Sequence, residues 1–199
     1  IEYASFNMQT AIGAGNTGKE SGTGNHSENT GATDTLGNTS GAVKNSNNVQ
    51  LISYRGEENF WGNIWTWIDG FNHNINVSSD TDDVYVADHD FTDDIDDTSE
   101  IYHEVNITPS MTSGYVSAFC YDEDFDWLFI AGEVTGNSAL PVGDYFYQSE
   151  TSGWRVGILS GDWYDGAYAG AFCWYLNDAS SYRSRGIGGR LVYVPSKNA

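Results

Sequence analysis

Positive charge is scarce in this chain: 8 Lys and Arg stand against 28 Asp and Glu, a net charge of −20 over 199 residues. A surface this acidic repels DNA, RNA and anionic bilayers, which excludes nucleic-acid binding as a leading function. Cysteine is nearly absent. Cys120 and Cys173 are too few for a disulfide scaffold; they read as two isolated thiols, with a single disulfide as the alternative. No apolar run approaches the roughly 20 residues needed to span a bilayer, so membrane insertion is not expected, and no signal-peptide pattern opens the chain. The start at Ile1 reads as the edge of a processed or truncated piece. Catalytic motifs are missing as well: no G-x-S-x-G elbow, Walker loop or H-E-x-x-H is present. Gly186–Gly189 lacks the spacing and strand–helix context of a dinucleotide fingerprint. Carboxylates are so abundant that no one pair singles out acid–base chemistry. The expectation is a protein that is not an enzyme and holds no cofactor.

What is present argues for one β-rich domain over 1–199, missing its N-terminal start. Ile1, Ser5, Met8 and Ala11/Ile12 fall at helical spacing before a stop at Gly13, the end of an amphipathic helix. From Gly13 to Asn48, 25 of 36 residues are Gly, Asn, Thr or Ser and none is aromatic. Such a stretch cannot offset its own ordering entropy, so it reads as a long loop held by neighbours. Val49–Asn72 carries Trp61, Trp65 and Trp67 around Gly62-Asn63, a core segment or, alternatively, the wall of a pocket. Asp80–Glu100 has ten acidic residues in 21 positions. Asp80, Asp82, Asp83, Asp88, Asp90, Asp93, Asp94, Asp96 and Asp97 offer oxygen ligands for a structural calcium. The EF-hand spacing is absent, however, and most such runs are solvated loops.

Strand signals are Val84–Ala87, Gly114–Tyr121, Asp126–Ala131, Gly143–Tyr147, Trp154–Leu159, Gly170–Leu176 and Gly189–Val194. The four histidines, His26, His73, His89 and His103, are scattered through polar segments and read as solvated.

The closing segment 159–195 is the most distinctive. Trp163–Tyr182 holds seven aromatics in twenty residues, separated by small and polar side chains. Tyr, Trp, Ser, Gly and Asn in such a mixture is the composition of a binding paratope. A buried pair of strands with aromatic cross-strand contacts is the equal alternative.

Two blocks carry a family likeness. FWGNIWTWIDG at Phe60–Gly70 and LSGDW…GAFCWYLNDASS…IGGRLVYVP from Leu159 resemble the signature and the ending of the formylglycine-generating-enzyme type of C-type lectin fold. The likeness runs over about Val49–Pro195. It implies an α+β, β-rich C-type lectin fold with long irregular loops. The oxidases of that family bind copper through a cysteine pair, which SGDWYDGAYAGAF lacks, and Thr66 stands where the signature has Glu.

The ending is more similar still to the variable proteins of diversity-generating retroelements. In these, randomised template adenines convert Asn codons to Tyr, Asp, Ser, Arg, His or Gly. Asp162, Tyr164, Asp165, Tyr168, Tyr175, Asp178, Tyr182, Arg183, Arg185 and Gly186 stand where that pattern has Asn or Ser, and Cys173 where it has Tyr. Trp163, Gly166, Gly170, Phe172, Trp174, Leu176, Ile187, Gly188, Gly189 and Arg190 keep the framework identity.

The resemblance implies a phage or prophage receptor-binding fibre protein on the virion surface, or less readily a protein of the bacterial cell surface. It would bind a host-surface protein or glycan through Asp162, Tyr164, Asp165, Tyr168, Cys173, Tyr175, Asp178, Tyr182, Arg183 and Arg185. It would assemble as a homo-oligomer, a trimer, beside other virion proteins. A structural or decorating fibre protein that uses the same face for assembly is the alternative.

Overall fold

The computed structural model describes residues 7–20, 24–89, 91 and 101–190. Strand accounts for 33% of it and helix for 6%, so the chain is β-rich. The helix near the start is one turn, α1 (Met8–Ala11), capped by the Asn7 side chain, which accepts the Thr10 N–H at 2.9 Å. The rest of the expected N-terminal helix lies outside the described residues. Beyond α1, helix among the described residues is limited to two single 3-10 turns, Asp34–Leu36 and Gly166–Tyr168.

A small antiparallel sheet is made of β1 (Gly41–Lys44), β2 (Gln50–Tyr54) and β3 (Glu57–Glu58). β1 corrects the reading of 13–48 as loop throughout. Ala42-Val43 is too short an apolar pair to stand out in that composition, and its strand exists because Gly41–Lys44 pairs with Leu51–Ser53 and Gln50.

The main sheet follows with β4 (Trp65–Asn76), β5 (Thr81–Val86) and β6 (His103–Val105). The chain then forms β7 (Gly114–Tyr115), a separate two-stranded pair of β8 (Ala118–Phe119) and β9 (Ala131–Glu133), and β10 (Tyr145–Gln148). It closes with β11 (Gly153–Leu159), β12 (Trp174–Leu176) and β13 (Ile187–Gly188). The order across the main sheet is β6-β5-β4-β11-β12-β10-β7, with β13 pairing in parallel with the start of β4. The signals at Val84–Ala87, Gly143–Tyr147 and Trp154–Leu159 mark real strands, shifted by one to three residues. Gly114–Tyr121 breaks into β7 and β8, and only the last three residues of Gly170–Leu176 are strand. Asp126–Ile130 is not strand: it starts in a turn, and Leu128 and Ile130 reach the core from irregular chain whose Ile130 carbonyl accepts the Cys120 N–H at 2.8 Å. The strand expected over Gly189–Val194 lies largely outside the described residues.

Alternation along β10 and β12 assigns the two faces of the main sheet. Phe146, Trp174 and Leu176 enter a core with Phe71, Val84, Val86, Val105 and Ile130. Each such buried side chain contributes about 1.5–3 kcal/mol of apolar transfer energy. β11 carries a bulge between Val156 and Ile158. A Cβ on Gly157 would come within 2.7 Å of Trp174 and 2.8 Å of Phe71, so this position is kept bare for two rings.

The core face also holds a polar network. His73 is fully buried, not solvated as its polar neighbourhood suggested. Its Nδ1 lies 2.7 Å from Asp82 Oδ1 and its Nε2 3.2 Å from the Leu176 carbonyl. Gln148 Nε2 donates to the other Asp82 oxygen at 2.7 Å. Asp82, one of the candidate calcium ligands, is thus occupied within the protein.

The Trp-Gly-Asn motif has a clear mechanical role. Trp61 is fully buried and donates its indole N–H to the Gly13 carbonyl at 3.0 Å. Gly62 and Asn63 both take positive φ, 72° and 67°. That turn lets the Asn63 N–H reach the Asn16 carbonyl at 2.8 Å, while its side chain bonds Glu28 and Asn16. The Gly/Asn/Thr/Ser loop is ordered here by specific partners, as a stretch without its own core requires.

Candidate ligand-binding face

Opposite the core, the main sheet presents an aromatic layer. Tyr145 and Tyr147 of β10 alternate with buried Phe146, their rings 4.6 Å apart. Tyr147 meets Tyr175 of β12 at 5.0 Å, Tyr175 meets Trp65 of β4 at 5.4 Å, and Tyr115 of β7 meets Tyr145 at 5.2 Å. Tyr168, from the loop between β11 and β12, lies against Tyr145 at 4.6 Å and Tyr115 at 5.5 Å. Tilted and edge-on rings at these separations add about 0.5–1.5 kcal/mol per pair beyond area burial. The row spans four strands.

The loop Ser160–Cys173 frames that row and is pinned at both ends. At its start, Ser160 and Gly161 take positive φ, 90° and 79°. A Cβ on Gly161 would meet Ala169 at 2.6 Å, so the loop folds back tightly there. The Asp162 N–H donates to Asp165 Oδ2 at 2.7 Å and the Tyr164 N–H to Asp162 Oδ1 at 2.7 Å. At its far end the Phe172 N–H donates to Asp144 Oδ2 at 2.7 Å. The N-terminal loop straps the middle: the Gly166 N–H donates to Thr17 Oγ1 at 2.7 Å, and the Lys19 N–H to the Trp163 carbonyl at 2.8 Å. Gln9 Nε2 reaches the Gly166 carbonyl at 3.0 Å and also the Ala169 carbonyl.

These carboxyls are displaced from their ordinary range chiefly by burial. Desolvation pushes Asp144 up to about 8, which the Phe172 N–H partly opposes. Burial raises Asp165 to about 7, partly opposed by the Asp162 N–H, and burial likewise raises Asp162. Tyr147, whose hydroxyl lies 3.3 Å from Asp165 Oδ1, is raised by burial first and then by that carboxylate. Asp178 is raised by burial and lowered by Arg155.

Of the expected binding residues, Tyr164, Tyr168 and Tyr182 are 55%, 41% and 45% exposed. Tyr175 is half-buried within the row. Asp162, Tyr175, Asp178 and Tyr182 come together around a cavity of about 130 Å³, with Trp65, Ile158, Ser184 and Ile187 completing it. Arg183 is turned back on its own loop, its Nη1 donating to the Ser180 and Tyr182 carbonyls; it lines a different crevice, with Trp67 and Tyr102. Arg185 is exposed on the same loop.

Cys173 is a correction. It is 0% exposed and packs with Trp65 and Ile158 beneath the layer, so it touches no ligand. Burial raises its thiol well above the usual range. Cys120 is also a free thiol.

Trp65, Tyr115, Tyr145 and Tyr147 were not anticipated as part of this face. The alternation in Asp144-Tyr-Phe-Tyr-Gln148 was the available signal for two of them. Nothing in the sequence marks Thr17 or Gln9.

A larger apolar groove of about 760 Å³ lies on the core side of β12, against Trp174, Phe71, Phe129 and Trp127. It shares no residue with the small cavity, and Arg55, Asp69, Asp88, His103 and Asp124 also line it. Among the described residues, no group of three or more His, Cys, Asp or Glu side chains is placed to hold a metal. Asp90, Asp93, Asp94, Asp96 and Asp97 lie outside the described residues.

Neither a scan against protein-family models nor a search of the curated proteins found a match to this chain. No helix among the described residues is long and apolar enough to cross a membrane.

Proposed function

We propose that this chain is a receptor-binding domain of the diversity-generating-retroelement variable type, with a C-type lectin fold. In this reading it belongs to a phage or prophage fibre on the virion surface and binds a host-surface molecule without catalysis. One observation carries the reading. Framework Trp163, Trp174 and Leu176 are buried, while substituted Tyr164, Tyr168 and Tyr182 stand in solvent; of the other substituted positions, Cys173 and Gly186 are buried. A strand pair built for packing has no use for three large rings left in water, and exposed Tyr is a favoured binding anchor. Asp144 and Thr17 hold the loop rigid, so little ordering entropy opposes binding. Modest single-site affinity is multiplied by several copies on one fibre, which favours a homotrimer beside other virion proteins.

The test is to replace Tyr164, Tyr168 and Tyr182 together by Ala, which removes the three most exposed rings of the closing segment. Adsorption of the particle to its host should fall by at least about tenfold, since hot-spot tyrosines are each worth more than about 1 kcal/mol. Unchanged adsorption by a folded variant would overturn the proposal. A near-copy of the Leu159–Arg190 coding segment, differing only at adenines and lying beside a reverse transcriptase gene, is the genomic expectation.

A further inference from the structure

The small cavity differs in chemistry from the rest of the aromatic layer. At about 130 Å³ it has room for on the order of four waters at about 30 Å³ each, fewer heavy atoms than a hexose carries. Trp65 and Tyr175 form its wall, inclined at 61° with centroids 5.4 Å apart, and Tyr182 stands at its mouth. Three oxygen-bearing side chains reach it from separate segments: Asp162 from the pinned loop, Asp178 from the turn after β12, and Ser184 from the approach to β13. Asp162 is seated there by the absence of a neighbour's side chain, since a Cβ on Gly186 would meet its Oδ2 at 2.7 Å.

An electron-rich ring face attracts cations, and more strongly where water is partly excluded. Half-buried carboxylates add a Coulomb attraction larger than the same charges give in bulk water. An ammonium has three donors that need not share a plane, which suits oxygens arriving from three segments. A guanidinium instead favours two parallel acceptors on one carboxylate. Burial holds both Asp162 and Asp178 above their ordinary range, and Arg155 only partly relieves Asp178. A cation in the cavity would stabilise both as carboxylates. The chain's charge of −20 also draws cations to it at long range.

We propose that this cavity is a specificity pocket for a primary alkylammonium group, the head of a lysine side chain on a protein receptor. The proposal rests on the receptor-binding reading of the face and adds the chemistry of its ligand: a basic protein loop, not a neutral glycan.

The experiment titrates the whole chain with n-butylammonium chloride, and separately with its neutral isostere n-butanol, at constant ionic strength. Backbone and indole N–H resonances are followed by NMR. Butylammonium should shift the Trp65 indole N–H and the Ser184 and Ile187 amides saturably, with a millimolar midpoint. Asp178→Asn should raise that midpoint on the order of tenfold, whereas Glu150→Gln, an exposed carboxylate away from the cavity, should not move it. Asp162→Asn should act like Asp178→Asn; if it fails to fold, Asp178→Asn and Tyr182→Ala carry the test. Equal shifts with n-butanol, or an unchanged midpoint in Asp178→Asn, overturn the pocket. If butylammonium does not bind while the triple tyrosine variant still loses adsorption, only the ammonium pocket is wrong. If butylammonium binds and adsorption is indifferent to the tyrosines, the pocket stands and its receptor role falls.

Discussion

The two faces of the main sheet use the same strands and almost the same residue types to opposite ends. On one face Phe71, Phe146, Trp174 and Leu176 interlock with Val84 and Val86, and the polar groups His73, Asp82 and Gln148 satisfy one another. On the other, Trp65, Tyr145, Tyr147 and Tyr175 meet tilted or edge-on, and the three tyrosines are only half-buried. Aromatic content is therefore a poor guide to burial in this chain. What separates the faces is the hydroxyl: Phe and Trp fill the interior, whereas Tyr offers an apolar body and a polar tip that can rest in water.

The sharpest way to break the comparison is at the buried pair. Replacing His73 or Asp82 by Ala leaves an uncompensated polar group under the sheet and should cost about 3–5 kcal/mol in urea unfolding. A smaller loss would mean that water reaches the core face, and the contrast between faces would weaken.

Next in size is Asp144, which joins the two faces by tying the loop to β10. Its folded pKa of about 8 is raised above the ordinary 3.8, so the folded state holds a proton that the unfolded chain releases. The stabilisation is complete below about 4 and is lost as pH rises through about 8, on the order of a few kcal/mol across that window. Asp144→Asn keeps an acceptor for the Phe172 N–H without the titration. Its stability should be flatter over that range than that of the parent, and parallel profiles would refute the assignment.

Smallest should be Tyr164→Ala, within about 0.5 kcal/mol of parent stability despite removing a whole ring. A large destabilisation would make that ring structural and move it to the other side of the comparison.

Much of the fold's character was legible in the residues. The strand signals at Val84–Ala87, Gly143–Tyr147 and Trp154–Leu159 correspond to β5, β10 and β11. Trp61 in the core follows from bulk beside a tight Gly-Asn turn. Asp126–Ile130 misled because apolar residues in irregular chain carry the same composition as a buried strand. His73 misled because its partner Asp82 and acceptor Leu176 lie 9 and 103 positions away, beyond any local pattern.

By itself the sequence determined the β-rich class and the dependence of the Gly/Asn/Thr/Ser loop on its neighbours. Both follow from local periodicity and composition, which act within a few residues. The tertiary structure alone decided that Cys173 withdraws into the core, that Thr17 straps the loop, and that Tyr115, Tyr145, Tyr147 and Trp65 join Tyr175 in one layer. Those outcomes depend on strand order and register, which bring residues over a hundred positions apart within about 5 Å and set which side of each strand faces water.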